Sequence, residues 1–218
     1  MVAELVVVSW NIQGRDPASI DLPEAVRGWG ADVLLLQEVR GQRLRDALPE
    51  YPTCLTWPLG IAIVSRFTHE EAGTAQGGVA QGQRPRLGWA RLALDDGPIT
   101  VATVHLMSPP WPGTLGRRRT QRAAVAAWAG ERAAAGERVI VGGDFNTIDP
   151  SLNGLTALSA RSGRTWRPLA VPWMPPIFRI DAVFGAGQLQ PVSGRTDGRW
   201  RGSDHCPVVV RIGLQGLC

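Results

Sequence analysis

Eight polar residues stand at the ends of short apolar runs in this 218-residue chain. Asn11 closes the run 5–11, Glu38 closes 32–38, and His105 closes 99–105. Asp144 and Asn146 close 139–146. Asp181 lies near the start of the run 179–184, and Asp204 and His205 precede the apolar part of 203–212. If the last two runs are strands opposed in direction to the others, all eight groups reach one edge of the sheet system. That edge would gather four carboxylates and two imidazoles, as active sites do. Crowded carboxylates repel one another and call for a cation. Oxygen-rich donors without a thiolate suit a hard divalent ion, Mg²⁺ or Mn²⁺. Such ions act on phosphate esters by polarising the phosphoryl group and neutralising developing charge.

The elements that must position these residues follow from the same runs. Each is short and rich in Val or Ile, which reads as buried strand. Two further runs, 60–65 and 87–94, read as a hairpin pair. The Gly-, Gln- and Ala-rich stretch 68–85 between them reads as a loop. A helix is expected from Asp21 and Pro23 through Trp29, and a short one over 42–48. A long helix is expected over 114–135, capped by Thr114 and stopped by Gly136. Asp149 and Pro150 read as the opening of a fourth. Residues 165–177 hold too many prolines for regular structure. Strands alternating with helices indicate a layered α/β or α+β fold, and no linker or repeat divides residues 1–218, which read as one domain.

Composition narrows the chemistry. All 23 basic residues are Arg, which excludes a P-loop lysine and a Schiff-base lysine. The absence of a Gly-x-Ser-x-Gly elbow argues against acyl hydrolysis. Three cysteines are too few and scattered for a disulfide framework, so a reducing, cytoplasmic setting is expected. No apolar run nears the ~20 residues of a membrane helix, and the first residues lack the basic start of a signal peptide. Residues 1–109 carry 9 Arg against 12 acidic residues, whereas 110–218 carry 14 against 7. A surface built from the second half can therefore attract phosphate. Arg117, Arg118, Arg119 and Arg122 read either as a solvated helical face or as a phosphate-contacting collar, with 195–201 as a second basic segment. Trp111, Trp166, Trp173 and Trp200 fall in loops near the run ends, where they either pin a loop or stack on substrate. His105, inside an apolar strand, reads as a core histidine or as part of the rim.

The motifs SWNIQG at 9–14, LLLQE at 34–38, TVHL at 103–106, GGDFN at 142–146, RIDAVF at 179–184 and SDHCPV at 203–208 resemble, in order, those of the endonuclease/exonuclease/phosphatase superfamily. The resemblance implies an α/β fold: a four-layer sandwich of two mixed β-sheets flanked by helices. It also implies divalent-metal-dependent phosphoester hydrolysis with Mg²⁺ or Mn²⁺. By the same resemblance Glu38 is the principal metal ligand, with Asn11 beside it on metal or phosphate and Asp204 as a further metal or water ligand. Asp144 orients or deprotonates the attacking water, and Asn146 holds the phosphate. His205 sits against the scissile phosphate, oriented and charged by Asp181. His105 is similar to the second active-site histidine of the deoxyribonuclease-like members. Gln13 stands where exonuclease III-type repair enzymes carry Asp, and His105 where they carry Tyr, which points away from the abasic-site branch. The Trp-Cys-Asp-Arg signature of inositol 5-phosphatases is also missing.

The reading is therefore a monomeric, metal-dependent nuclease of nucleic-acid phosphodiesters, with Asn11, Arg117, Arg119 and Trp173 as substrate contacts. The alternative is a phosphatase or phosphodiesterase acting on a small phosphorylated metabolite or lipid head group. A non-catalytic binding module would be marked by loss of Glu38, Asp144 or His205, and all three are present.

Overall fold

The computed structural model describes residues 4–40, 43–75, 86–108, 114–160, 162–168, 174–199 and 201–214. Among them the order is β1 (Glu4–Asn11), α1 (Leu22–Trp29), β2 (Val33–Gln37), α2 (Leu44–Ala47), β3 (Thr53–Trp57), β4 (Ile61–Ser65), β5 (His69–Ala75) and β6 (Leu87–Leu92). Then follow β7 (Ile99–His105), α3 (Thr114–Ala134), β8 (Arg138–Asp144), β9 (Thr156–Ala157), β10 (Asp181–Ala186), β11 (Leu189–Thr196) and β12 (Val208–Leu214). The strands form two six-stranded sheets, ordered β11-β12-β1-β2-β4-β3 and β5-β6-β7-β8-β10-β9. Both are mixed: β1 is parallel to β2 and β7 to β8, while β12 opposes β1 and β10 opposes β8. The two late strands thus run against the earlier ones, as the common rim requires.

The period of two in a strand sends alternate side chains to opposite faces. On β1, Val6, Val8 and Trp10 pack outward against Leu22, Val26 and Trp29 of α1. Leu5 and Val7 turn inward with Val33 and Leu35 of β2, meeting Val101, Ile140 and Val183 of the other sheet. Beyond that sheet, Val104, Val139, Val141 and Phe184 pack against Val125 and Ala129 of α3. Three apolar interlayers therefore separate helix, sheet, sheet and helix, the four-layer sandwich. α1 buries Leu22, Ala25, Val26 and Trp29 at helical spacing and ends at Gly30, whose left-handed φ of 64° needs no Cβ.

The two sheets press together at Gly142. A Cβ there would lie 2.7 Å from Leu35 Cδ1 of the opposite sheet. Leu35 is fully buried, so it has little room to yield. Gly142→Ala is expected to destabilise the protein by about 1–3 kcal/mol through overpacking. Urea unfolding checks this, and an unchanged midpoint would show that the interlayer has room to spare.

Some expectations need correction. Residues 60–65 and 87–94 do not form a hairpin: β4 pairs with β2 and β3, and β6 with β5 and β7. They are runs of different sheets, because pairing partners are set across the chain and not by adjacency. Part of the expected loop 68–85 is β5, an exposed edge strand without apolar alternation; residues 76–85 lie outside the described residues. No helix opens at Asp149. Its φ is 46°, its N–H donates to Arg179 O, and its carboxylate accepts from Arg179 Nε at 3.0 Å, so the chain is held in a turn. α3 spans nearly the expected length, and Gly136 beyond it has φ 88°. The Thr114 side chain, named as its cap, lies outside the described residues.

Candidate active site

The site is the inner-face row of both sheets carried to its end. On β1 the inward positions Leu5, Val7 and Ser9 are followed by Asn11. On β7, Val101 and Thr103 are followed by His105, and on β8, Ile140 and Gly142 by Asp144. Register then aligns three of the groups, since His105 pairs with Asp144 and Asp144 with Asp181 across β7, β8 and β10. Glu38 follows β2 in a left-handed turn at φ 53°, and Asn146 follows β8 at φ 48°. Such backbone is uncommon for residues other than glycine and concentrates at functional sites. The Glu38 turn is braced by Gly60, whose O accepts from Val39 N at 2.7 Å and whose own φ is 66°. A Cβ on Gly60 would fall 2.7 Å from Val39 O, so glycine is required there.

Asn11 links the sheets. Its Nδ2 donates to Glu38 Oε1 and to Asp144 Oδ2, each at 3.1 Å, while its Oδ1 accepts from Gln13 N. His105 Nε2 lies 3.8 Å from both Glu38 Oε1 and Asp144 Oδ2. His205 approaches from the other side. Its Nε2 is 3.8 Å from Asp144 Oδ2 and from Asp204 Oδ1, and its Nδ1 meets Asp181 Oδ2 at 2.9 Å. The segment carrying His205 is locked to β1: Ser203 Oγ donates to Asn11 O at 2.7 Å and Trp10 Nε1 to His205 O at 3.0 Å. Seven of the rim residues named from sequence are thereby joined directly through Asn11, Asp144 and His205. Asn146 joins through its backbone N–H, which donates to Asp144 Oδ1 at 2.8 Å, and its Nδ2 donates to Leu106 O.

Burial alone would push the His205 ring below its ordinary value of 6.5, but the charges of Asp181 and Asp144 and the Asp181 hydrogen bond override it and lift it to about 10. The ring is therefore imidazolium at neutral pH. Asp144 is pushed upward by its burial, an effect that His205 and His105 oppose. A buried carboxylate held up in this way is a better proton acceptor than an exposed one.

A cleft of about 700 Å³ opens on this rim, lined by Glu38, His105, Asp144, Asn146, Asp204 and His205. Its further wall comes from α3. Leu115, Arg118, Arg119 and Arg122 line it, at the i, i+3, i+4, i+7 spacing of one helical face. That spacing is the signal that selects Arg118, Arg119 and Arg122, out of the collar 117–122, as the cleft-facing members. Arg117 is exposed and does not line the cleft, nor do Arg195 and Arg199. Trp173, Trp111 and Trp200 lie outside the described residues. Trp166 does line the cleft, together with Phe178, which sequence reasoning passed over.

The donor set suits a hard cation. Among the described residues neither Glu38 nor Asp144 pairs with an arginine, and Asp204 Oδ1 is buried without a hydrogen-bond partner. Asp144, Asp181 and His205 place ligand atoms within 4.8 Å of one another, a grouping that can hold a metal ion. In that grouping the Asp181 oxygens already serve the His205 ring.

The sequence model of the Endonuclease/Exonuclease/phosphatase family matches residues 8–205. No curated protein matches the chain in sequence. Solved structures share its fold at low identity. Truncated TDP2 from Caenorhabditis elegans superposes with a TM-score of 0.78 at 22% identity, covering 97% of this chain and 98% of that one. An endonuclease/exonuclease/phosphatase from Bacteroides vulgatus gives 0.78 at 16% identity, with 98% and 100% covered. TDP2 from D. rerio, complexed with a single-strand DNA product, gives 0.79 at 20%, with 97% and 100% covered.

Proposed function

Because the chain belongs to the endonuclease/exonuclease/phosphatase family, whose members hydrolyse phosphoester bonds, we propose that it is a divalent-metal-dependent phosphodiesterase acting on nucleic acid. The observation that carries this reading is the Asn11 amide bridging Glu38 and Asp144 at 3.1 Å each, with the charged His205–Asp181 pair facing the same carboxylate. Glu38 is the principal holder of the ion, and Asp204, with its unpartnered Oδ1, stands ready as a further ligand. A divalent ion bound there supplies Lewis acidity, drawing charge from the phosphoryl oxygens.

The protein's own groups do the rest. Asn11 keeps Glu38 and Asp144 from parting; fully buried, with both amide N–H groups given to those carboxylates and its oxygen to Gln13 N, it positions them and is not the substrate contact expected from the sequence. Asp144 orients a water and takes its proton as the water oxygen bonds to phosphorus and the ester P–O bond breaks, the leaving oxygen carrying off the bonding pair and taking up a proton from solvent. His205 presents a fixed imidazolium to the phosphate, and Asp181 fixes its ring and charge. His105, 3.8 Å from both Glu38 and Asp144, adds a second imidazole beside the attacking water. Asn146, braced through Leu106 and Asp144, forms the wall behind that phosphate.

Nucleic acid is favoured by the Arg118, Arg119 and Arg122 wall and by the excess of Arg in the second half of the chain. The relative from D. rerio, of the same fold, was solved with a single-strand DNA product. The test is turnover with Mg²⁺ on plasmid DNA, RNA, single-strand oligonucleotides and a panel of small phosphomonoesters. Cleavage of polynucleotides with little action on monoesters is expected. Rapid hydrolysis of a monoester or a lipid head group, with polynucleotides untouched, would replace this reading by the small-substrate one.

Salt gives a second measure. Binding to DNA should weaken steeply with salt, and Arg119→Ala with Arg122→Ala should flatten the log–log slope by roughly 0.7–0.9 for each phosphate that is no longer neutralised. An unaltered slope would remove these arginines from the substrate path.

A further inference from the structure

Large apolar side chains exposed to solvent are few among the described residues: Leu115 at 76%, Ile148 at 57%, Phe178 at 37% and Val192 at 51%. Three of the four, all but Val192, line the one cleft described above. Scattered singly, such residues mean little, but gathered beside a catalytic rim they mark a binding surface. Phe178 is the planar member. One face of its ring lies on the Trp166 indole, with centroids 5.9 Å apart and planes 9° from parallel.

This platform is built rigidly onto the site. Trp166 bridges to both Phe178 and His205 through its backbone, and its Nε1 donates to Asp204 Oδ2 at 3.2 Å. Cys206 N donates to Thr165 O at 2.7 Å, and Thr165 Oγ1 accepts from the backbone N–H groups of Ile180 and Asp181. Trp166 is thus fixed between Phe178 and the His205 segment, and among the described residues Phe178 is the more exposed aromatic ring of the cleft. Across the same cleft stands α3. Arg118 is 8% exposed and donates to Asn146 O; among the described residues neither its buried Nε nor the buried Nε of Arg122 has a hydrogen-bond partner. Buried guanidinium nitrogens without partners are costly unless a ligand completes them.

A planar apolar face and a cationic wall on either side of a phosphoester site ask for a flat ring and an additional phosphate in one molecule. A nucleotide within a strand carries both. Inside a duplex each base is covered by its stacked neighbours and its partner, so only an unpaired base can offer a face to an aromatic ring. We infer that the cleft selects an unpaired nucleotide, its base stacked on Phe178 and a flanking phosphate held by Arg118, Arg119 and Arg122. This rests on the nucleic-acid reading above and adds strandedness to it.

The test needs no turnover. Short oligonucleotides carrying 2-aminopurine at successive positions are titrated with the protein in EDTA at low salt, single-stranded and annealed to a complement. With wild type, fluorescence is expected to fall several-fold at one position of the single strand, where the base stacks. The fully paired duplex should show no such quenching and weaker binding. Phe178→Ala should lose the quenching and weaken single-strand binding about tenfold, the worth of one base–aromatic stack. Phe178→Trp should restore both. Quenching that survives in Phe178→Ala, a duplex bound as tightly as the single strand, or oligonucleotide left unbound would each overturn the inference. Failure of the hydrolase reading shows elsewhere, as the absence of Mg²⁺-dependent turnover of a thymidine nitrophenyl phosphodiester by wild type. If that turnover is present while no position is quenched, the inference fails and the hydrolase reading stands.

Discussion

Glu38→Gln is expected to lower kcat on a phosphodiester by more than about a hundredfold, a loss that even the outer partners of a metal can cause. Gln keeps the shape and can still accept from Asn11, so the fold should persist. What disappears is the negative charge at the end of β2, where Asn11 brings it together with Asp144. The variant should therefore also need a much higher Mg²⁺ concentration for half-maximal rate. Circular dichroism and the unfolding midpoint serve as checks on folding. Wild-type activity in Glu38→Gln, or the same dependence on Mg²⁺, would remove Glu38 from the role proposed for it.

The second large effect concerns the pair beneath His205. Asp181 is fully buried and holds His205 Nδ1 at 2.9 Å, so Asp181→Asn withdraws both the orienting acceptor and the charge that keeps the ring protonated. A loss of about 10²–10⁴-fold is expected, near that of His205→Ala, and the double variant should lose scarcely more than either alone. The sign of the pH effect follows from the raised ring pKa. In the folded protein the ring titrates at about 10, against an ordinary 6.5, so its charge pair stabilises fully below about 6.5 and that contribution is lost as pH rises through about 10. Asp181→Asn should move the alkaline limb of the pH–rate profile to lower pH and abolish this part of the stability decline. Strict additivity of the two substitutions, with an unmoved alkaline limb, would mean that Asp181 does not act through the ring.

Much of the site was legible because an apolar run bounded by a polar residue is a local feature. Asn11, His105 and Asp144 each close such a run and Asp181 opens one, so type and position together place them at one rim once strand direction is supposed. Glu38 and Asn146 stand just past their strands, in left-handed turns that no pattern of apolar residues announces. The sheet assignment of β4 and β6 was misread because two apolar runs look alike whether they pair or face each other across a core. β5 and β11 carry exposed edges with little alternation and were missed for that reason. Phe178 was passed over because its segment has no period at all, and its exposure comes from Trp166 beneath it. The arginine wall was half visible: Arg117, Arg118, Arg119 and Arg122 were read together as a possible collar, and only the helical face that also carries Leu115 separates the three that line the cleft from Arg117. Arg117, two positions from Leu115, falls off that face.

The most direct measurement is the rate of hydrolysis of a thymidine nitrophenyl phosphodiester as Mg²⁺ or Mn²⁺ is titrated into wild-type protein freed of metal by EDTA and gel filtration. The expected result is no turnover in the stripped protein and a saturable return of rate with added ion, lost again on renewed chelation. A full rate in the metal-free protein, or none at any concentration of either ion, would contradict the assignment of this rim as a metal-dependent phosphodiesterase site.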